Sequence, residues 1–371
     1  MFYHVLLTNN CNLCCRYCGE KAFRCSSPEL GKFSIDENLP PNLSFDLKKL
    51  YSFLEKDNDA TLTFYGGEPT LKSDLIRKIM DNAKVKRFMI QTNGLLLDKL
   101  EPKYVNKFHT ILVSIDGPKS LTNYYRGNGV FEKVVSNLKK IRSNGFEGEI
   151  IARMTVEEKT DIFKAVKFLS KNGDFSFDSI HWQLDANFWN DFSKRNFRKW
   201  AEENYNPRIE KLVDFWISKM ENGKVLKWYP FLDTMEDLLL ERKSLLRCGS
   251  GYANYSIMTD GSISPCPIMA GMKDFYLGNV SESNPLKLKK ILVKEYCVDC
   301  KILDFCGGRC LYSNISSPWP ENGRKIVCGT VKNLYTALKK NIPRVKKFIS
   351  GRKISLKDFE HLKFNGAEII P

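Results

Sequence analysis

The segment TNNCNLCCRYCGE, residues 8–20, places four cysteines within eight positions close to the start of the chain. Three of them, Cys11, Cys15 and Cys18, have the spacing CxxxCxxC. Three thiolates on one tight loop can bind three irons of a [4Fe–4S] cluster and leave the fourth iron open to another ligand. A zinc site would instead need a fourth protein ligand from nearby. The segment therefore indicates a metal site.

Two other cysteines lie close to this segment. Cys14 is extra to the spacing, and we expect it to be a packed or non-ligating thiol. Cys25 has no role that the pattern assigns. Either thiol is near enough in sequence to complete a zinc site, so zinc stays open as an alternative at this point.

Cysteines are confined to two parts of the sequence. Of the 12 in the 371-residue chain, five lie in residues 11–25 and seven in residues 248–328. In a reducing compartment such cysteines are metal ligands or catalytic groups more often than disulfides. No apolar run approaches the roughly 18 residues of a membrane span, and the first residues lack the basic region of a signal peptide. We therefore expect a cytoplasmic protein with no membrane partner.

The positive charge is concentrated at the end of the sequence. The net charge is +15, and residues 285–371 contain 18 Lys and Arg against 7 Asp and Glu. A basic tail could meet RNA or an acidic peptide. Thiolate-bound clusters are anionic, however, and basic surroundings would offset them. Charge alone therefore disfavours nucleic acid as a partner.

Residues 1–185 alternate strand-like and helix-like segments. Short apolar runs, typical of strands buried on both faces, are FYHVLLT, TLTFYGG, RFMIQTNG, TILVSIDG, EIIARMTV and SIHWQLD. Helical stripes include Val130, Val134, Leu138 and Ile141, and also Ile162, Val166 and Leu169. Ser44 is the predicted N-cap of the first helix. Six βα units predict an α/β fold with a partial (β/α)6 TIM-like barrel.

Four motifs follow the first four predicted strands: the cysteine segment, GGEPT, TNG and SIDG. Parallel sheets place their chemistry at this end of the strands. In this order the motifs resemble the radical S-adenosylmethionine (SAM) superfamily. The resemblance implies that the open iron of a [4Fe–4S] cluster chelates SAM. One electron then cleaves SAM to methionine and a 5′-deoxyadenosyl radical, which abstracts a hydrogen from the substrate.

The resemblance also implies which residues contact SAM. Tyr17 corresponds to an aromatic residue near the adenine, Glu68 belongs to the motif at the methionyl amino group, and Arg153 corresponds to an arginine that pairs with the carboxylate. Polar residues at strand ends line the rest of the pocket. The predicted set is Tyr17, Gly66, Gly67, Glu68, Pro69, Asn93, Ser114, Asp116 and Arg153.

The later cysteines have the spacing C-x12-G-x4-C, then C-x2-C-x5-C-x3-C, then a last cysteine. Cysteine pairs of this kind can bind zinc, but the full spacing is similar to the SPASM extension of radical SAM enzymes, which implies two auxiliary iron–sulfur clusters. By that resemblance one cluster takes Cys297, Cys300, Cys306 and Cys328, and the other takes Cys248, Cys266 and Cys310.

The cluster of Cys248, Cys266 and Cys310 lacks a fourth cysteine. Fully ligated relatives supply one a few residues after the first, but here that stretch reads CGSGYANYS, starting at Cys248. The resemblance then leaves an open iron, a non-cysteine ligand or a site for a donor from the substrate.

The predicted domains are a radical SAM partial barrel over residues 1–194, a helical linker over 195–245, a cysteine-rich SPASM domain over 246–332 and a basic helical tail over 333–371. The first strand begins at residue 2, so we expect no N-terminal peptide-recognition domain. A substrate leader would then bind to the body, to the tail or to a separate leader-binding protein.

By analogy with SPASM enzymes, we expect a peptide or protein substrate that is crosslinked, epimerised or oxidised. The electron donor would be a protein such as flavodoxin or ferredoxin. Formylglycine-forming relatives have a proton-accepting aspartate after the second SPASM cysteine, where this chain has Pro267, so sulfatase maturation is disfavoured. Gln183 and Asp185, at the end of the sixth strand, are the candidate catalytic residues.

Two other functions remain open from the sequence. A radical SAM enzyme could act on RNA or on a small molecule. The basic tail is the one feature of the sequence that supports RNA. A non-catalytic zinc or iron–sulfur protein could bind or sense instead, and it would not cleave SAM.

Overall fold

The computed structural model describes residues 1–18, 32–365 and 370–371. Cys25 lies outside them, so its role stays a prediction. The strands are β1 Phe2–Thr8, β2 Thr61–Gly66, β3 Arg87–Thr92, β4 Phe108–Ser114, β5 Glu149–Val156, β6 Ser179–Leu184, β7 Asn254–Ile257 and β8 Ile263–Ser264.

The helices between and after these strands vary in length. They are α1 Leu47–Leu54, α2 Ser73–Asn82, α3 Pro102–Val105, α4 Lys119–Arg126, α5 Val130–Ser143, α6 Ile162–Ser170, α7 Phe197–Trp200, α8 Asn206–Met220, α9 Tyr229–Leu239, α10 Leu303–Cys306, α11 Leu311–Ser316, α12 Glu321–Lys339 and α13 Ile342–Ser350. A π-helical segment, Ala201–Tyr205, joins α7 to α8. Within the described ranges, no helix is long and apolar enough to cross a membrane.

The strands form one open sheet in the order β6-β5-β4-β3-β2-β1-β7-β8. The pairs β1–β2, β2–β3, β3–β4 and β1–β7 are parallel, and β8 runs antiparallel to β7. The expected α/β fold with an unclosed, TIM-like sheet is confirmed. All six predicted strands are present, and their ends agree with the structure to within three residues.

The sequence analysis did not predict β7, which comes from the cysteine-rich part of the chain. It pairs in register with β1, from Phe2 with Asn254 to Val5 with Ile257. A strand of four residues carries little periodic signal, and its pairing depends on a partner about 250 residues away.

The predicted helical stripes lie in the core. On α5, Val130, Val134, Leu138 and Ile141 are all buried. The predicted N-cap of α1 is wrong, because the cap is Asp46, whose carboxylate accepts from the Lys48 amide at 3.0 Å. Ser44 instead bonds to another part of the chain, because its backbone amide donates to the carbonyl of Thr259 at 2.8 Å.

The chain divides into two compact units. The first comprises Met1–Ala152, Gly173–Phe175 and Gly249–Leu292, and the second comprises Arg153–Asn172, Ser176–Cys248 and Val293–Pro371. The four domains expected from the sequence stay a prediction.

Replacing Leu138 with Ala tests the core assignment of α5. Leu138 is fully buried, and truncating a buried Leu costs about 2–5 kcal/mol. The free energy of unfolding in urea should fall by that amount. The adjacent Lys139 is exposed, so Lys139→Ala should change the free energy by less than about 0.5 kcal/mol. Equal effects of the two substitutions would contradict the assignment.

Candidate active site

The cysteine loop begins directly after β1. Burial raises the pKa of the Cys15 thiol to about 11, an effect that Arg126 opposes and that the charges of Asp116, Cys18 and Cys11 increase. The three motif sulfurs are therefore close enough to repel one another as thiolates. A metal cluster relieves this repulsion, so the donor set and its crowding fit a cluster bound by three cysteines. Cys14 is exposed.

A buried ion pair supports the middle of this loop. The Arg126 guanidinium donates two hydrogen bonds of 2.8 Å to the carboxylate of Asp116, which is fully buried. The Tyr17 hydroxyl donates to the same carboxylate at 3.1 Å. Burial holds the pKa of Tyr17 well above its usual value, so the phenol keeps its proton. The hydrogen bond between Tyr17 and Asp116 thus anchors the loop at Tyr17. Arg126 is a site residue that the sequence analysis missed.

Hydrogen bonds to backbone carbonyls also hold the loop. The Arg16 amide donates to the carbonyl of Tyr125 at 2.8 Å, and the Arg16 side chain donates to the carbonyl of Tyr124 at 2.7 Å. Within the loop, the Cys18 amide donates to the carbonyl of Cys15 at 3.0 Å. These contacts fix the backbone of the loop at Arg16 and Cys18.

The carboxylate of Glu68 ties the ends of β2 and β3 together. It is buried, and it accepts from the amide and hydroxyl of Thr70 at 3.0 and 2.5 Å, from the hydroxyl of Thr92 at 2.7 Å and from the amide of Asn93 at 2.6 Å. Burial raises the pKa of Glu68, and the hydrogen bonds oppose that rise. Pro69 follows in the same turn.

Asn93 connects Glu68 to the cysteine loop. Its side-chain amide donates to the side-chain Oδ1 of Asn12 at 2.7 Å and lies 3.8 Å from the sulfur of Cys11. Ser114, another predicted SAM contact, is the partly exposed last residue of β4.

Gly66 and Gly67 allow β2 to approach the start of the loop. A Cβ on Gly66 would overlap the carbonyl of Thr8, and one on Gly67 would overlap the carbonyls of Asn9 and Asn10. Without those side chains, the Gly67 amide donates to Thr8 at 2.8 Å and that of Glu68 to Asn10 at 2.8 Å. The glycines of the GGEP motif are therefore required by close backbone approach.

In the second unit, Arg153 lies between two polar residues of β6. Its guanidinium is 2.8 Å from the Nδ1 atom of the buried His181 and donates to the Gln183 side chain at 3.2 Å. Because a guanidinium can only donate, Nδ1 of His181 must be the unprotonated acceptor. The sequence analysis assigned His181 no role, since its position on β6 opposite Arg153 is visible only in the sheet.

A cavity of about 60 Å³ in the second unit is lined by Cys297, Cys300, Cys306 and Cys328. Burial raises the pKa of the Cys297 thiol to about 12, and the charges of the other three cysteines add to the rise. These four cysteines come from the segment before α10, from the end of α10 and from α12. Cys310 lines the same cavity, so five thiols surround it, and such a set fits a metal cluster.

Donors and cations surround this cysteine cavity. The Asn314 side chain donates to the sulfur of Cys297 at 3.4 Å. Arg309, Arg324 and Lys332 also line the cavity. These groups offset the negative charge of bound thiolates, which agrees with the expectation that the basic C-terminal residues serve a cluster.

The cysteines of the other predicted auxiliary site, Cys248, Cys266 and Cys310, belong to different units. Cys266 belongs to the first unit and Cys248 to the second, as does Cys310, which also lines the cysteine cavity. This ligand set and its fourth ligand stay predictions.

The sequence analysis missed a buried charge cluster on α9. Asp233, Glu236 and His361 present ligand atoms within 4.8 Å of one another. Arg247 pairs with Asp233, and Lys363 lies 3.1 Å from Asp233 and 3.2 Å from Glu236. Burial alone would raise the pKa of Asp233, but Arg247 and His361 hold it well below its usual value. The acidic residues of α9 are therefore paired with basic residues, and this ion-pair network binds His361 and Lys363 to α9.

Comparisons with known proteins agree with this geometry. Residues 5–167 match the model of the radical SAM superfamily. A cysteine-type anaerobic sulfatase-maturating enzyme of Clostridium novyi (strain NT) is 26% identical over 310 residues, which are 80% of this chain and 80% of that protein.

Two groups of solved structures share the fold. Native anSMEcpe with bound AdoMet has a TM-score of 0.70 and 21% identity, and the match covers 94% of this chain and 100% of that one. Streptococcus suis SuiB bound to precursor peptide SuiA has a TM-score of 0.55 and 19% identity, with 84% of this chain and 72% of that chain covered. At these identities the likeness concerns the fold.

The chain therefore contains a radical SAM domain, over residues 5–167. Over most of its length the chain is similar to a sulfatase-maturating enzyme, and its cysteine-rich C-terminal part fits auxiliary iron–sulfur clusters.

Replacing Arg126 with Met tests the ion pair beneath the cysteine loop. The substitution leaves the Asp116 carboxylate buried without its cation, which should lower the free energy of unfolding by about 3–5 kcal/mol and reduce iron binding. The double variant Asp116→Asn/Arg126→Met removes both charges and should recover most of the loss in urea unfolding. A single variant as stable as the wild type would show that the pair is dispensable.

Proposed function

We propose that the protein abstracts a hydrogen atom from a peptide or protein substrate and oxidises the resulting radical, which installs a post-translational modification. The observation that carries this proposal is the cavity lined by five cysteines in the second unit. A cluster bound there would accept an electron. Support for a peptide substrate comes from the sulfatase-maturating relative and from the peptide bound by SuiB.

Cys11, Cys15 and Cys18 would hold the first cluster, and Cys297, Cys300, Cys306 and Cys328 would hold one auxiliary cluster. When bound, the first cluster and SAM supply the 5′-deoxyadenosyl radical that removes the hydrogen atom.

The protein's own residues orient these groups. The backbone amide of Asn93 binds Glu68 and its side-chain amide binds Asn12, which holds that side chain beside the sulfur of Cys11. Arg153, held by His181 and Gln183, offers a charged fork to a carboxylate. Electron donors and a leader-binding protein are further expectations from the resemblance.

Replacing Cys15 with Ala tests the first site. After anaerobic reconstitution the wild type should bind about twelve irons, and the variant should lose about four of them and all SAM cleavage. Formation of 5′-deoxyadenosine with dithionite as reductant measures the cleavage. Cys14→Ala is the matched control, because Cys14 is the adjacent, exposed thiol outside the motif, and it should retain both. SAM cleavage by Cys15→Ala would contradict the proposed site.

Replacing Cys306 with Ala tests the auxiliary site. Cys306 lines the cavity with the other three cysteines, so the variant should also lose about four irons but keep the first cluster. SAM should still be cleaved, whereas modified peptide should fall by at least tenfold. Peptide modification at the wild-type level would show that a cluster in this cavity is not needed for the reaction.

A further inference from the structure

The C-terminal residues of the second unit form a basic surface that the proposed function has not yet used. Residues 339–357 contain eight Lys and Arg and no Asp or Glu. Seven of the eight are exposed, and we call these seven the basic tail surface: Lys339, Lys340, Lys346, Lys347, Arg352, Lys353 and Lys357.

The charges of this surface lack carboxylate partners. Arg344, the eighth basic residue, pairs with Glu221 on the turn after α8. In the described part of the chain, no carboxylate lies within ion-pair distance of the seven exposed cations. Like charges on one surface repel one another, so an anionic partner would be attracted to them.

These cations are separate from those of the cysteine cavity. Within the described ranges, Lys332 on α12 is the last residue in sequence that lines this cavity. Lys339 is seven residues further along the same helix, about 10 Å at the rise of an α-helix. The charge of thiolates in the cavity therefore accounts for Arg309, Arg324 and Lys332 but not for the basic tail surface.

The surface is held on a packed scaffold. Helix α13 buries Val345 and Phe348, and Ile354 and Phe359, which follow it, are also buried. The Lys353 amide donates to the carbonyl of Phe348 at 2.9 Å. The backbone that carries the cations is thus fixed before a partner binds, which reduces the entropy lost on binding.

One cation occupies a backbone position that favours glycine. Arg352, in the turn after α13, has a φ of 55°, in the left-handed region. Its amide donates to the carbonyl of Ile349 at 3.0 Å, which closes the end of the helix. Glycine or asparagine is usual at such a position. Arginine therefore adds a charge here although its backbone conformation is unfavourable, which indicates that the charge has a use.

The turn after α8 lies against this segment. A Cβ on Gly223 would be only 3.1 Å from the carbonyl oxygen of Lys353, so the two backbones are close. The next residue, Lys224, is exposed. The one carboxylate of this turn, that of Glu221, already pairs with Arg344. Basic residues from two segments of the second unit therefore lie near one another.

The surface fits a protein better than a nucleic acid or a lipid. Single-stranded nucleic acid stacks its bases on exposed aromatic rings, but Phe348 and Phe359 are buried. A helix on a membrane surface inserts its apolar face, but α13 buries that face in the protein, at Val345 and Phe348. Leu356 is 42% exposed and directly precedes Lys357. An apolar contact beside charged residues is typical of a protein interface.

We propose that the basic tail surface binds an acidic segment of the peptide or protein substrate. This inference rests on the proposed function and names the chemistry of its substrate, a chain with a segment rich in Asp and Glu and with an apolar side chain among them. Lysine ammonium groups attract such carboxylates as compact point charges. Because the surface is exposed to solvent, the binding should weaken as the salt concentration rises.

The test measures the affinity of the reconstituted full chain for a fluorescein-labelled synthetic peptide of Glu, Gly and Leu. A second peptide has Gln in place of every Glu. Fluorescence anisotropy should show that the Glu peptide binds at least about tenfold more tightly than the Gln peptide. Raising NaCl from about 0.05 to about 0.3 M should weaken the binding of the Glu peptide about tenfold.

The variant Lys346→Gln/Lys347→Gln/Lys353→Gln removes three charges of the basic tail surface. Its affinity for the Glu peptide should fall at least about tenfold, as expected for the loss of several exposed ion pairs. Because the three side chains are exposed, iron content and SAM cleavage should stay at the wild-type level. These two readouts show that the variant is folded.

The matched control is Lys103→Gln/Lys139→Gln/Lys140→Gln. It removes the same net charge from exposed residues of the first unit. Its affinity for the Glu peptide should stay within about twofold of the wild type, since screened charges act only over about a Debye length.

The possible failures are distinguishable. Unchanged affinity in the tail variant, or an equal loss in the control, would overturn this inference alone. A short RNA duplex that binds more tightly than the Glu peptide, through the same lysines, would also overturn it. A wild-type chain that binds the Glu peptide but cleaves no SAM would overturn the proposed function, and with it the assignment of the bound chain as a substrate.

Discussion

The first site depends on the burial of one carboxylate, that of Glu68. Its oxygens accept four hydrogen bonds from Thr70, Thr92 and Asn93, so the turn after β2 and the end of β3 are held together. A buried carboxylate without such donors would be strongly destabilising. Once it is satisfied, Asn93 is fixed next to Cys11. The geometry of the cysteine loop therefore begins with a hydrogen-bond network outside the cysteine motif.

Charge pairing serves the same purpose elsewhere. Asp116 and Arg126 form a bidentate, buried pair under the cysteine loop, and Arg195 is shared among carboxylates beside β6. Breaking such a pair by removing one partner leaves an uncompensated buried charge. The sites are thus preorganised by interactions whose loss is costly, while the cysteines themselves repel one another until metal is bound.

The cysteine cavity of the second unit has a different physical requirement. Holding a cluster needs soft thiolates crowded together and cations to offset them, as around Cys297 and Arg309.

The sequence by itself determined the strands, the helical stripes and the cysteine motifs, because local periodicity and spacing record which residues face the core and which ligands share a loop. It did not reveal β7, the capping by Asp46, the ion pair of Arg126 with Asp116, or the contact of His181 with Arg153. Each of these depends on a partner distant along the chain or on competition between nearby caps. Only the tertiary structure decided them, because the charge state and the contacts of a side chain depend on its burial and on its partners, and neither can be read from the sequence.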